Sequence, residues 1–107
     1  MYSFPLEENE RILKKDLANM SYDGNNLHGA LYLTTDRIVF VGYLLNITQK
    51  YFEEIPLAHV ETIKPEKTFF FIPNAFAITT IKDRRLKFIV NKRDEWIDAI
   101  QQRINSL

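Results

Sequence analysis

The feature that most constrains this chain is a change of hydrophobic period near its end. Apolar residues alternate with a period of two through most of the sequence. From residue 96 they recur at three and four, as Trp96, Ile97, Ile100, Ile104 and Leu107. Alternation belongs to half-buried strands, and the later spacing to one stripe of an amphipathic helix. Leu13 and Leu17 share one face of a first strand, with Lys14 and Asp16 on the other. Leu31 and Leu33 mark a second. A third carries Ile38, Phe40 and Gly42 on one side and Val39, Val41 and Tyr43 on the other. Residues 51–57 and 60–64 read as a fourth and a fifth, Phe76, Ile78 and Thr80 as a sixth, and Leu86, Phe88 and Val90 as a seventh. Asp23-Gly24-Asn25-Asn26, Thr35-Asp36 and Lys82-Asp83-Arg84 are the turns, and His59 falls in a turn after Leu57.

Seven short strands and one helix restrict the architecture. The class is mainly β, a seven-stranded antiparallel sandwich or barrel with open ends. The helix, expected over residues 92–106 with Asn91 as its cap, needs an apolar home, and plugging one barrel end supplies it. Trp96, Ile97, Ile100 and Ile104 are expected to be buried. A length of 107 residues predicts a single domain, 1–107, and 13% aromatics let so short a chain build a core.

Composition removes several function classes. Lys plus Arg and Asp plus Glu are 14 each, so the basic surplus expected of a nucleic-acid binder is missing. With no cysteine there is no disulfide, thiolate zinc site or cysteine nucleophile, in keeping with a reducing cytosol. No apolar run approaches the roughly 18 residues of a membrane span, and the first ten residues lack the pattern of a secretion signal, so a cytoplasmic location is expected, in part peripheral at a membrane. His28 and His59 belong to no metal-binding pair, no G-x-S-x-G elbow or glycine-rich phosphate loop occurs, and the adjacent pairs Glu7-Glu8 and Glu53-Glu54 point to opposite faces of a strand. No catalytic, cofactor or metal site is expected.

Ala30-Leu31-Tyr32-Leu33-Thr34-Thr35-Asp36-Arg37-Ile38-Val39-Phe40 resembles the signature hairpin of GRAM domains: a small residue, L-x-L-T, a turn, then R-[LI]-x-F. Glu54-Ile55-Pro56-Leu57 with Val60 and Ile63, then Ile72-Pro73-Asn74, then Phe88-Ile89-Val90 with residues 92–97, resemble further family segments in the family's order. The resemblance runs from about residue 6 to residue 104. It implies a pleckstrin-homology fold and binding to membranes or proteins without chemistry. Ala75 departs from the usual glycine, and Phe69-Phe70-Phe71 replaces a stretch that usually holds Leu-Gly.

Two constellations are candidate contact sites. Residues 82–93 hold six cations and one anion, and the heads of Lys82, Arg84 and Arg85 are expected to converge on one anionic group, with Lys87 beside them. The family's usual phosphoinositide position, the first hairpin at residues 21–29, contains no Lys or Arg, which argues against tight inositol-phosphate binding there. The second constellation is apolar: Phe69, Phe70, Phe71 and Ile72. Alternation sends Phe69 and Phe71 inward and Phe70 outward, towards a partner or bilayer. The reading is a non-catalytic module for a protein partner or a lipid surface. The alternative is a self-associating unit that uses a sheet edge and the aromatic segment in a homo-oligomer.

Overall fold

The structure, a computed structural model, describes residues 3–44, 50–69 and 71–107. Seven strands form one antiparallel sheet in the order β4-β3-β2-β1-β7-β6-β5. They are β1 (Ile12–Tyr22), β2 (Asn25–Thr34), β3 (Arg37–Leu44), β4 (Lys50–Pro56), β5 (Val60–Thr68), β6 (Ile72–Thr80) and β7 (Arg85–Val90), followed by the helix α1 (Arg93–Asn105). His59 ends a single 3₁₀ turn, Leu57–His59, that joins the two edge strands. The sheet curls until that corner closes: the N–H of Ile81 donates to His59 O and that of Leu57 to Asp36 O.

Inward side chains from all seven strands and the helix make one core. Leu31, Leu33, Ile38, Phe40, Phe76 and Phe88 are its interior. The Phe88 ring lies 5.5 Å from Phe76 and 6.2 Å from Phe40. Tight curvature at the β2–β3 crossing depends on Gly29, where an added Cβ would sit 1.9 Å from the Val41 carbonyl oxygen.

α1 closes one end. Its first residue, Arg93, donates to the carbonyls of Glu66 and Ala75, and near its other end Arg103 Nε donates to Thr35 O. The helix therefore spans the mouth from the β5–β6 hairpin to the β2–β3 turn. Trp96 and Ile100 are wholly buried, and the indole N–H donates to Asp16 at 2.9 Å, so the largest core side chain keeps its polar atom satisfied. Ile97 and Ile104 are only partly buried, and Leu107 is exposed, because one side of the stripe overhangs the rim. Asn91 does not cap the helix. Lys92, in the left-handed region (φ 54°), is the cap residue and supplies no side-chain bond; the acidic Asp94 and Glu95 face the first-turn amides' positive end instead.

The faces of β1 reverse the expectation. Ala18, Met20 and Tyr22 point into the core, which fixes even positions inward and turns Leu13 and Leu17 out. Asp16, expected outside, is the acceptor for Trp96.

Outside β2 and β3 a second, smaller apolar layer forms from Ala30, Tyr32, Val39 and Val41, covered by Phe4. The segment before β1 thus lies as a strap over the sheet. Arg37 fastens it. Its guanidinium donates to both oxygens of Glu10 (2.9 and 3.0 Å), to Pro5 O (3.0 Å) and to Glu54, and it lies 5.3 Å from the Phe4 ring centre. Thr34 donates to Glu10 (2.5 Å) and receives the N–H of Arg37 (2.9 Å).

Candidate binding surface

β5 and β6 form a hairpin whose pairing ends at Thr68 and Ile72. The turn is held by Phe71 N–H donating to Thr68 O (3.2 Å) and by a 2.8 Å bond between Thr68 Oγ1 and Asn74 Oδ1. Phe69 occupies the left-handed region, φ 49°. A large L side chain is disfavoured there by about 1–2 kcal/mol, and the ring gains no burial in exchange: Phe69 is 77% exposed and Phe71 75%. Ile72 is also exposed. The inward placement expected for Phe69 and Phe71 is therefore wrong. Strand alternation stops at the turn, and the left-handed residue swings both rings outward. Phe70, expected to face outward, lies outside the described residues.

Basic groups surround the base of this turn. Lys67 is exposed, and Lys87 reaches across from β7 to donate to the Lys67 carbonyl at 3.2 Å. Lys92 and Arg93, together with Asp94 and Glu95, border a cavity of about 350 Å³ with Pro73 and Asn74 of β6. Arg93 is committed to backbone carbonyls and to Asp94, and Lys92 is exposed with its ammonium 4.0 Å from Glu95. The arrangement is an apolar tip with Lys67 and Lys87 at its base, and with Lys92, paired with Glu95, across the cavity from Pro73 and Asn74.

The four cations singled out in the sequence do not act as one group. Arg84 turns into the barrel mouth opposite α1. It binds Glu53 through two bonds, 2.8 and 2.5 Å, donates to Tyr22 Oη at 3.3 Å and stacks on the Tyr22 ring. Glu53 raises the Arg84 pKa further and keeps it charged. Tyr51 also donates to Glu53 (2.8 Å), and burial, aided by that carboxylate, pushes its phenol up to about 12. Arg85 pairs with Glu66 on the outer face. Lys82 is exposed beside them. The expected convergence of Lys82, Arg84 and Arg85 on one anion is thus not present: two of the three heads already hold separate carboxylates. Lys87, two residues along β7 from Arg85, is held instead by its bond to the Lys67 carbonyl, towards the aromatic turn.

Sequence reasoning missed Lys67 and Lys92 as companions of the rings. The adjacency Lys67-Thr68-Phe69 was the available signal for the first. Nothing local signals the approach of Lys92. Among the described residues no group of three His, Asp or Glu is placed to hold a metal ion, and no helix is long and apolar enough to cross a membrane.

Comparison with known proteins agrees with this geometry. Among solved structures, the C-terminal domain of a protein of unknown function from Leishmania infantum superposes with a TM-score of 0.72 at 15% identity, over 91% of this chain and 86% of that one. The Vps36 N-terminal PH domain gives 0.69 at 12% identity, over 95% and 84%. The hSac2 domain of the human phosphoinositide phosphatase Sac2 gives 0.63 at 13%, over 92% and 70%. At these identities the likeness establishes the fold, which is pleckstrin-homology-like: mainly β, with seven antiparallel strands and a C-terminal helix. No curated protein matches the sequence. The sequence model of the GRAM domain, however, matches residues 1–107, and the chain belongs to the GRAM domain family.

Proposed function

We propose that residues 1–107 act as one non-catalytic binding module that docks peripherally on an anionic membrane surface, on the cytoplasmic side, through the β5–β6 turn. The observation that carries this reading is the pair of exposed rings, Phe69 and Phe71, set on a braced turn above lysines. An aromatic side chain moved from water into an apolar layer contributes about 1.5–3 kcal/mol. Each lysine near an anionic surface adds about 1 kcal/mol. The rings and the lysines act on the same face, so their contributions add against the entropy of association and favour weak, reversible adsorption. Family membership supports a binding role in general, and one structural neighbour belongs to an enzyme of phosphoinositides.

Vesicle co-sedimentation tests the reading. Binding to vesicles of phosphatidylcholine with phosphatidylserine is expected to fall at least tenfold in the double variant Phe69→Ser/Phe71→Ser with thermal stability unchanged. Lys67→Glu/Lys87→Glu is expected to remove the dependence on phosphatidylserine and on salt. Full binding by both variants would refute the proposal. Light scattering against concentration supplies the contrast with self-association: an oligomer that the ring substitutions dissolve, without vesicle binding in the wild type, would replace membrane docking by the homo-oligomer.

A further inference from the structure

β1 is hydrogen-bonded on both sides for only part of its length. Its pairing with β2 runs from Ile12 to Tyr22, whereas β7 pairs with it only from Ser21 to Ala18 and ends at Val90. Beyond that point the chain leaves for α1. Among the described residues, no backbone hydrogen bond reaches the vacated side of residues 13–17. Every second residue there presents an N–H and a C=O to the open side, the template for another strand.

Edges that proteins leave open are normally blunted, as β5 is by Lys64, Pro65, Glu66 and Lys67. The open stretch of β1 is the reverse. Leu17 is 74% exposed and Leu13 47%. A recess lies at each end of it. One, of about 390 Å³, is bounded by Leu17, Asn19, His28, Asn74, Ile89 and Asn91. The other, of about 480 Å³, separates Leu13, Lys14 and Leu33 from Ala99, Gln102 and Arg103 of α1. The first recess is lined by apolar groups, side-chain amides and the His28 imidazole. The second has Lys14 and Arg103 on its two walls, with Arg11 and Lys15 exposed nearby; the one carboxylate of the stretch, Asp16, lies 3.9 Å from Lys14 and accepts from the Trp96 indole.

We propose that this edge is a binding site for an extended peptide, about five residues of which would take up the line that β7 abandons. A strand continuing β7 runs antiparallel to β1, so its N-terminal end lies by Leu17 and its C-terminal end by Lys14 and Arg103. The partner is therefore a segment with apolar side chains at alternate positions, to fill the recesses, and carboxylates at its C-terminal end. A recess walled by β1 and a helix admits one bare strand and not the broad edge of a second folded copy. The main chain supplies affinity and the alternate side chains supply selection. The site meets the base of the aromatic tip only at Asn74, and it does not depend on membrane docking.

The probe is an acetylated, amidated heptapeptide of alternating leucine and threonine that ends in two glutamates, titrated into the isotopically labelled chain. Amide shifts are expected at residues 12–18, with at least tenfold slower hydrogen exchange for the outward amides of that stretch. The same peptide N-methylated at alternate amides is expected not to bind, and Lys14→Glu to weaken binding at least fivefold. The variant Leu17→Lys, at a side chain exposed enough to leave the core untouched, is expected to weaken binding without lowering stability. No shifts at 12–18 at about millimolar peptide, shifts centred on β4 or β5, or equal binding by the N-methylated peptide would each overturn the proposal.

Discussion

Replacing Glu10 by Gln removes one charge from the fastening of the strap, and the consequence depends on pH in a way that can be worked out. The Glu10 side chain is fully covered, and its partner Arg37 is nearly so. The Arg37 hydrogen bonds, reinforced by Thr34 and the Glu7 N–H and opposed by burial, lower the Glu10 pKa from 4.5 to about 2. A carboxylate whose pKa is lower in the folded chain binds fewer protons there than when unfolded. It therefore stabilises the fold above pH 4.5, and the contribution fades as pH falls towards 2. At 1.36 kcal/mol per unit, the effect is about 3 kcal/mol. Urea unfolding of wild type and Glu10→Gln at pH 7 should differ by about that amount, since Arg37 keeps Glu54 and the Pro5 carbonyl but loses its buried counter-charge. As pH falls from 5 to 2 the gap should close, wild type losing stability faster than the variant. A gap that stays constant over this range would show that Glu10 contributes by shape and packing, and the ion-pair account of the strap would be wrong.

Two further outcomes follow from the core and the open mouth. Trp96→Ala should destabilise by about 3–5 kcal/mol in the same urea assay, because it empties the centre of the helix plug; a loss under 1 kcal/mol would mean that α1 is not the closure. Tyr51 should resist ionisation until about pH 12, so its folded-state pKa lies above that of the free phenol. Stability should accordingly fall as pH rises through 10, where only the unfolded phenol ionises, and in Tyr51→Phe this part of the decline should vanish.

The succession of seven strands and the capping helix were legible because alternation and helical spacing are local signals that burial on one side imposes. β1 shows where such signals fail. Leu13 and Leu17 offer one apolar face and Ala18 and Met20 the other, and only assembly with β7 and α1 decides which is inward. The aromatic segment was recognised, but its orientation was not, since a left-handed Phe69 breaks the alternation from which orientation was inferred. The basic hairpin failed for a different reason. Arg84 meets Glu53 31 positions away, and Arg37 meets Glu10 at a separation of 27. A charge cluster in sequence does not reveal which of its members tertiary pairing has already neutralised.

The place of β1 in the sheet also governs how the chain acquires its structure. β1 to β4 pair with sequence neighbours, so these strands can zip up as they emerge from the ribosome. The other flank of β1 waits for β7, and Asp16 waits for Trp96, 80 residues later. Closing loops of that length before any packing is gained makes folding slow for so small a domain. Until residues 85–105 arrive, Ala18, Met20 and Leu33 face water across an unfinished sheet, and the nascent chain at that stage is a natural client for a chaperone. Residues 87–96 complete a strand laid down about 70 positions before them.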